Sequence, residues 1–191
     1  MSTPAHHVHY TLAEYLAFER SSGAKHEYFD GQIYAMAGGG REHARLANAL
    51  AVMLGGQLFG GRCSGYSSGL RVRIPATGLD TYPDLTIICG PARQDPEDEH
   101  AVNNPTLLVE VLSSGTEKYD RGEKFEHYKR LESLRQYVLV DPLAETVEVW
   151  TLADGTWSSP VHSAGEVAEL GSVNAKLDVR ELFEAAAEPL A

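Results

Sequence analysis

The chain has no apolar run approaching the roughly 20 residues that a membrane helix needs, so no spanning segment is expected. Its first residues, Met1-Ser2-Thr3-Pro4-Ala5-His6-His7, lack a basic stretch followed by an apolar one, and no signal peptide is expected. Cysteine is scarce. Cys63 and Cys89 are isolated from each other and form no zinc-ligand pattern. Cys89 ends an apolar run and reads as a small buried hydrophobe, which points to a reducing, cytoplasmic home. Gly38-Gly39-Gly40 is not followed by Lys and Ser or Thr, which excludes a P-loop. Ser67-Ser68-Gly69 lacks the pattern of a nucleophile elbow. Repeats, low-complexity tracts and linkers are missing as well. His6, His7 and His9 read as part of a tail rather than a metal site.

Positive charge is also in short supply. The net charge is −11, which argues against broad nucleic-acid binding. The imbalance is uneven: residues 141–191 carry −8 and residues 1–140 only −3. Arg62, Arg71, Arg73, Lys118, Arg121, Lys124, Lys129 and Arg130 could supply a basic surface or simply a mixed-charge one. Asp95, Glu97, Asp98 and Glu99 are expected at a solvated loop tip.

With 191 residues and 43% hydrophobic content, one domain over residues 1–191 is expected, with residues 1–10 as a flexible tail. Thr11 to Glu14 forms a capping-box pattern that opens a helix over 12–20. Asp30-Gly31 is a type I′ turn signal between two aromatic-rich strands. A second helix is expected from Glu42 to Phe59, with Leu46, Ala49, Leu50 and Met53 along one stripe. Strands are expected at Ser64–Ile74, Tyr82–Cys89, Leu107–Leu112, Gln136–Val140, Thr146–Leu152 and Trp157–His162. Asp120 to Glu123 is a second capping-box pattern, opening a helix to about Leu131. A closing turn of helix falls within Leu177–Phe183. This order favours an α/β fold around one central mixed sheet flanked by helices, with additional C-terminal strands.

Two carboxylates interrupt the apolar strands: Asp84 in Tyr82–Cys89 and Glu110 in Leu107–Leu112. An ionised carboxylate among apolar residues is costly unless a cation compensates it. Alternation puts Glu110 on a face with Leu108 and Leu112, and Asp84 with Tyr82 and Thr86. On neighbouring strands the two could meet and hold Mg²⁺ or Mn²⁺, with the Val111 carbonyl as a further ligand. Lys124, in the first turn of the following helix, could reach the mouth of such a site and stabilise phosphate charge. Tyr128 shares its face.

These residues resemble the PD-(D/E)xK nuclease superfamily, and more closely the Uma-two family of restriction-endonuclease-like proteins. The resemblance runs from about Thr11 to Trp150. It rests on Tyr15-Leu16, Glu27-Tyr28 with Asp30-Gly31, Tyr82-Pro83-Asp84, Asn104-Pro105, Val109-Glu110-Val111-Leu112-Ser113, and Asp120-Arg121-Gly122-Glu123-Lys124 with Tyr128. It implies a restriction-endonuclease-like fold and Mg²⁺-dependent phosphodiester cleavage in DNA. Leu112 stands where the family's orthodox lysine falls, and the resemblance moves that lysine to Lys124, with Lys118 as the rival. It also carries an early acidic residue to Glu27. The implied set is therefore Asp84, Glu110, Lys124 and Glu27 for catalysis, and Asp84, Glu110 and Val111 for the metal. The class often works as a homodimer, and Trp150 and Trp157 could face a partner or lie in the core. His43 reads as a surface or capping residue, or a substrate contact, and Gln136 as a strand edge or a DNA contact. The alternatives are a non-catalytic binding or assembly module of the same fold, and a hydrolase of another phosphate ester.

Overall fold

The computed structural model describes residues 9–36 and 38–187. Most of the expected tail, including His6 and His7, lies outside the described residues. The tail's last residue is anchored: Tyr10 donates its N–H to the Gly31 carbonyl at 2.8 Å, and its own carbonyl accepts from Tyr28 Oη at 2.8 Å.

Helix α1 (Leu12–Ser21) begins with the expected capping box, since Thr11 and Glu14 bond each other's backbone N–H. Strands β1 (His26–Phe29) and β2 (Gln32–Ala35) form the expected hairpin. Asp30 and Gly31 both adopt positive φ, 47° and 73°, as a type I′ turn requires. Helix α2 (Arg41–Leu58) buries Leu46, Ala49, Leu50 and Leu54. Then come β3 (Cys63–Ser67), β4 (Arg71–Ile74), β5 (Leu79–Thr81), β6 (Leu85–Cys89), β7 (Gln94–Asp95), β8 (Asp98–Val102) and β9 (Leu107–Val111). Two short helices, α3 (Glu117–Arg121) and α4 (Glu123–Tyr128), lead to β10 (Gln136–Asp141). The chain ends with β11 (Thr146–Ala153), β12 (Thr156–Ser158), β13 (Val161–His162), β14 (Val167–Leu170), β15 (Ala175–Asp178) and α5 (Val179–Ala186).

The central sheet runs β12-β11-β10-β9-β6-β3, with β13 also on β11. It is mixed: β9 and β10 are parallel, and the other neighbours antiparallel. A second sheet runs β2-β1-β5-β4-β8-β7, and β14 pairs β15. One face of the central sheet, through Leu85, Ile87, Val109, Val111, Val138 and Val140, packs on α2, α5 and the β14–β15 hairpin. The opposite face carries Ile88, Leu108, Leu112 and Leu139, and packs on α4 and on Val72, Ile74 and Leu79 of the second sheet. Glu110 belongs to this second face by alternation.

Several expectations are corrected. Asp84 lies just before β6, not inside a strand. Asp95 and Asp98 do not sit at a solvated tip: they are buried on the β7–β8 hairpin, where Asp98 pairs with Arg71 and Asp95 with Arg73. Arg71 and Arg73 are therefore buried partners, not basic surface. Arg121 is also committed, to Glu117, Asp141 and Glu148. Asp120 caps nothing. It lies in α3, the helix expected to run to Leu131 breaks at Gly122, and α4 starts with no side-chain cap. Trp150 and Trp157 pack around Phe125. Cys63 and Cys89 are directly paired residues of β3 and β6 and form a disulfide. Their separation in sequence hid a cross-strand contact, and the inference of a reducing setting loses its basis. None of the described helices is long and apolar enough to cross a membrane.

Candidate active site

The β6–β9 ladder pairs Leu85 with Val109 and Thr86 with Leu108. One step further along the same register places Asp84 opposite Glu110. The Asp84 carboxylate closes the end of the ladder: Val111 N–H donates to its Oδ2 at 2.8 Å.

Glu110 points between the central sheet, the second sheet and α4. It is 5% exposed. Its Oε1 accepts from Tyr128 Oη at 2.7 Å and lies 2.9 Å from Lys124 Nζ. Lys124 is the second residue of α4 and is also 5% exposed. Its amine lies 3.2 Å from Glu27 Oε1 on β1 and 3.4 Å from Asp120 Oδ1 on α3. Glu27 in turn accepts from Thr81 Oγ1 on β5. Three carboxylates from three parts of the chain thus share one amine. Lys118, the rival lysine, is on the exposed side of α3.

Burial disfavours the charged amine, but Glu110, Glu27 and Asp120 outweigh it and hold Lys124 protonated. Burial pushes the Glu110 carboxyl up to about 8 against the pull of Lys124. Burial likewise raises Asp120. The centre therefore holds more carboxylate than its one lysine can neutralise.

His43 completes the arrangement. Its Nε2 lies 3.1 Å from Asp84 Oδ2, and its side chain is 22% exposed. The Asp84 hydrogen bond holds its ring more basic than usual, with a smaller contribution from a hydrogen bond to the Val111 backbone. A methyl group on Gly39 would stand 2.4 Å from the His43 ring, so the bare glycine leaves room for it. Neither the surface nor the capping role expected of His43 describes this position. The signal for it was present in the sequence, as a glycine loop just before a helix that carries an early histidine. The role of Asp120 gave no such signal, because its spacing matched a capping box.

Gln136 is a structural residue. It is buried, donates to Thr151 Oγ1 at 3.0 Å and the Glu169 carbonyl at 3.2 Å, and accepts from Ser172 N–H and Oγ. It makes no DNA-facing edge.

Among the described residues, no group of three or more His, Cys, Asp or Glu side chains is placed to hold a metal ion. The donors still suit a hard divalent ion. Asp84 and Glu110 face each other across the register, Val111 lies beside both, and buried carboxylate is in excess.

A protein-family model, Uma2, described as "Putative restriction endonuclease", matches residues 12–180. The chain is 36% identical over 171 residues to "Uncharacterized protein slr1290" of Synechocystis sp. (strain ATCC 27184 / PCC 6803 / Kazusa), covering 89% of each. It is 30% identical over 148 residues to "Uncharacterized protein sll1609" of the same organism, covering 77% of this chain and 84% of that one. Among solved structures, a "putative nuclease belonging to DUF820" from Anabaena variabilis ATCC 29413 superimposes with a TM-score of 0.77. It covers 93% of this chain and 99% of that one. At 17% identity that likeness is one of fold.

Proposed function

The chain belongs to the Uma2 family, and on that premise we propose that it is a divalent-metal-dependent endonuclease that hydrolyses phosphodiester bonds in DNA. The observation that carries the reading is the convergence of Glu27, Glu110 and Asp120 on the buried Lys124, beside Asp84. In this reading Asp84, Glu110 and the Val111 carbonyl hold Mg²⁺ or Mn²⁺. The bound ion would lower the pKa of a water and offset charge on the phosphate.

The chain's own groups supply the rest. Val111 N–H fixes the Asp84 carboxylate. Tyr128 fixes Glu110. Thr81 fixes Glu27, which with Asp120 keeps Lys124 charged and in place. The lysine has three donors and three carboxylates around it. A phosphate oxygen reaching Nζ therefore takes over one of those contacts.

The test is incubation with supercoiled, linear and single-stranded DNA in Mg²⁺ or Mn²⁺, alongside Asp84→Ala and Glu110→Ala. Cleavage by the natural chain and its loss in both variants supports the reading; cleavage that survives both removes it. A second reading, a non-catalytic binding module, is favoured by one observation: Arg71, Arg73 and Lys124 are buried, so the expected basic surface shrinks. Cation binding with no cleavage of any DNA form points there.

A further inference from the structure

We infer that His43 is a nitrogen ligand in the cation site, which makes that site select Mn²⁺ and similar transition ions over Mg²⁺ and Ca²⁺. This rests on the reading that Asp84, Glu110 and Val111 form the site.

Three observations converge. First, His43 touches one of the proposed ligands directly: its Nε2 lies 3.1 Å from Asp84 Oδ2. Ligand atoms about 2.1 Å from an octahedral ion stand about 3 Å apart along each edge. The His43–Asp84 spacing matches such an edge. Second, the ring is at the open side of the site, 22% exposed, whereas Glu110 and Lys124 lie deeper. An ion arriving from solvent meets the imidazole and Asp84 first. Third, the ring lies where a side chain on Gly39 would collide with it.

The chemistry follows from the donor set. Carboxylates, a carbonyl and water suit Mg²⁺, Ca²⁺ and Mn²⁺, whereas imidazole suits transition ions. A ring nitrogen binds metal through its neutral lone pair, so the proton shared with Asp84 leaves to solvent as the ion arrives.

The experiment uses the full chain and Mn²⁺ as the probe. Titration calorimetry gives Mn²⁺ and Mg²⁺ affinities, and pulsed electron spin resonance of bound Mn²⁺ detects a coordinated ring nitrogen. The natural chain should show nitrogen coupling. His43→Ala should lose it and bind Mn²⁺ about tenfold or more weakly, with a smaller change for Mg²⁺. Gly39→Ala should weaken Mn²⁺ binding by pushing the ring aside while leaving the imidazole in the chain. Coupling that persists in His43→Ala, as histidines at the chain's start would cause, overturns the inference. So does Mn²⁺ binding that disappears in Asp84→Asn but shows no nitrogen coupling in the natural chain. If Asp84→Asn binds Mn²⁺ as well as the natural chain, the cation site itself fails, and His43's role with it. Thermal melting of each variant without metal separates lost ligation from lost folding.

Discussion

Asp84 stands opposite Glu110, one register step past the last paired residues of β6 and β9. One carboxylate is at the rim and the other in the interior. Asp84 is fixed by the Val111 N–H and reached by His43. Glu110 is fixed by Tyr128 and Lys124. This division lets the two be altered separately.

At the rim, Asp84→Asn keeps an acceptor for the Val111 N–H and removes the charge. Stability should change by no more than about 1 kcal/mol, while metal-dependent cleavage should fall at least about 100-fold, since even outer-shell partners of a metal are worth about 10–100-fold. Urea unfolding and cleavage kinetics on the same preparation check both halves.

In the interior, Glu110 should make stability depend on pH. Its folded-state value, about 8, lies above its ordinary 4.5, so the native state holds this proton more tightly than the unfolded chain. Stability from this group is therefore full below about pH 4.5 and declines as pH rises towards about 8. Glu110→Gln should flatten that decline between pH 5 and 8 while abolishing cleavage. Part of the slope should remain, because burial also pushes Asp80 up to about 7. Unfolding midpoints across that pH range in both proteins measure the difference.

Lys124→Met strands three carboxylates around an uncharged side chain. The loss should be about 3–5 kcal/mol above about pH 8, as for any buried ion cluster that loses its partner. It should shrink as pH falls through about 8, where Glu110 takes up its proton, and further as Asp120 does. An equal loss at pH 5 and pH 8 in chemical denaturation would contradict the convergence on this amine.

Gln136→Leu tests the assignment of that residue to structure. Its bonds to Thr151, Glu169 and Ser172 tie β10 to its neighbours. Losing them should cost about 2 kcal/mol, with DNA binding unchanged at a temperature where both proteins are folded.

The Cys63–Cys89 disulfide spans a sequence separation of 26. A loop of that size should contribute about 3 kcal/mol. Melting with and without reductant reads it, and cation affinity should hardly move, because Asp84 lies beyond the far end of β6.

Local patterns were legible in the sequence where they were decided locally. The Thr11–Glu14 capping box and the Asp30-Gly31 turn need only a few adjacent residues, and alternation placed Glu110 on the correct face. Pairings decided by distant residues were hidden. Arg71 reads as a surface cation until β4 lies beside β8 and Asp98 meets it. Asp95 and Asp98 read as loop acids for the same reason. Asp120 matched a capping box by spacing, yet its carboxylate turns to Lys124. The partner of His43 stays hidden in the sequence, because Asp84 is 41 positions away and only the folded sheet brings it near. The cysteine pair was missed likewise, since nothing local announces that β3 and β6 are neighbours.

The gathering of Glu27, Glu110 and Asp120 around Lys124 also bears on when the centre comes into being. Its parts come from opposite sheets and from the crossover that joins β9 to β10. A chain still emerging from synthesis, or one cut before α4, holds the acids without the amine that makes them tolerable together. Whatever chemistry the centre performs is therefore withheld until the two sheets have closed on α4.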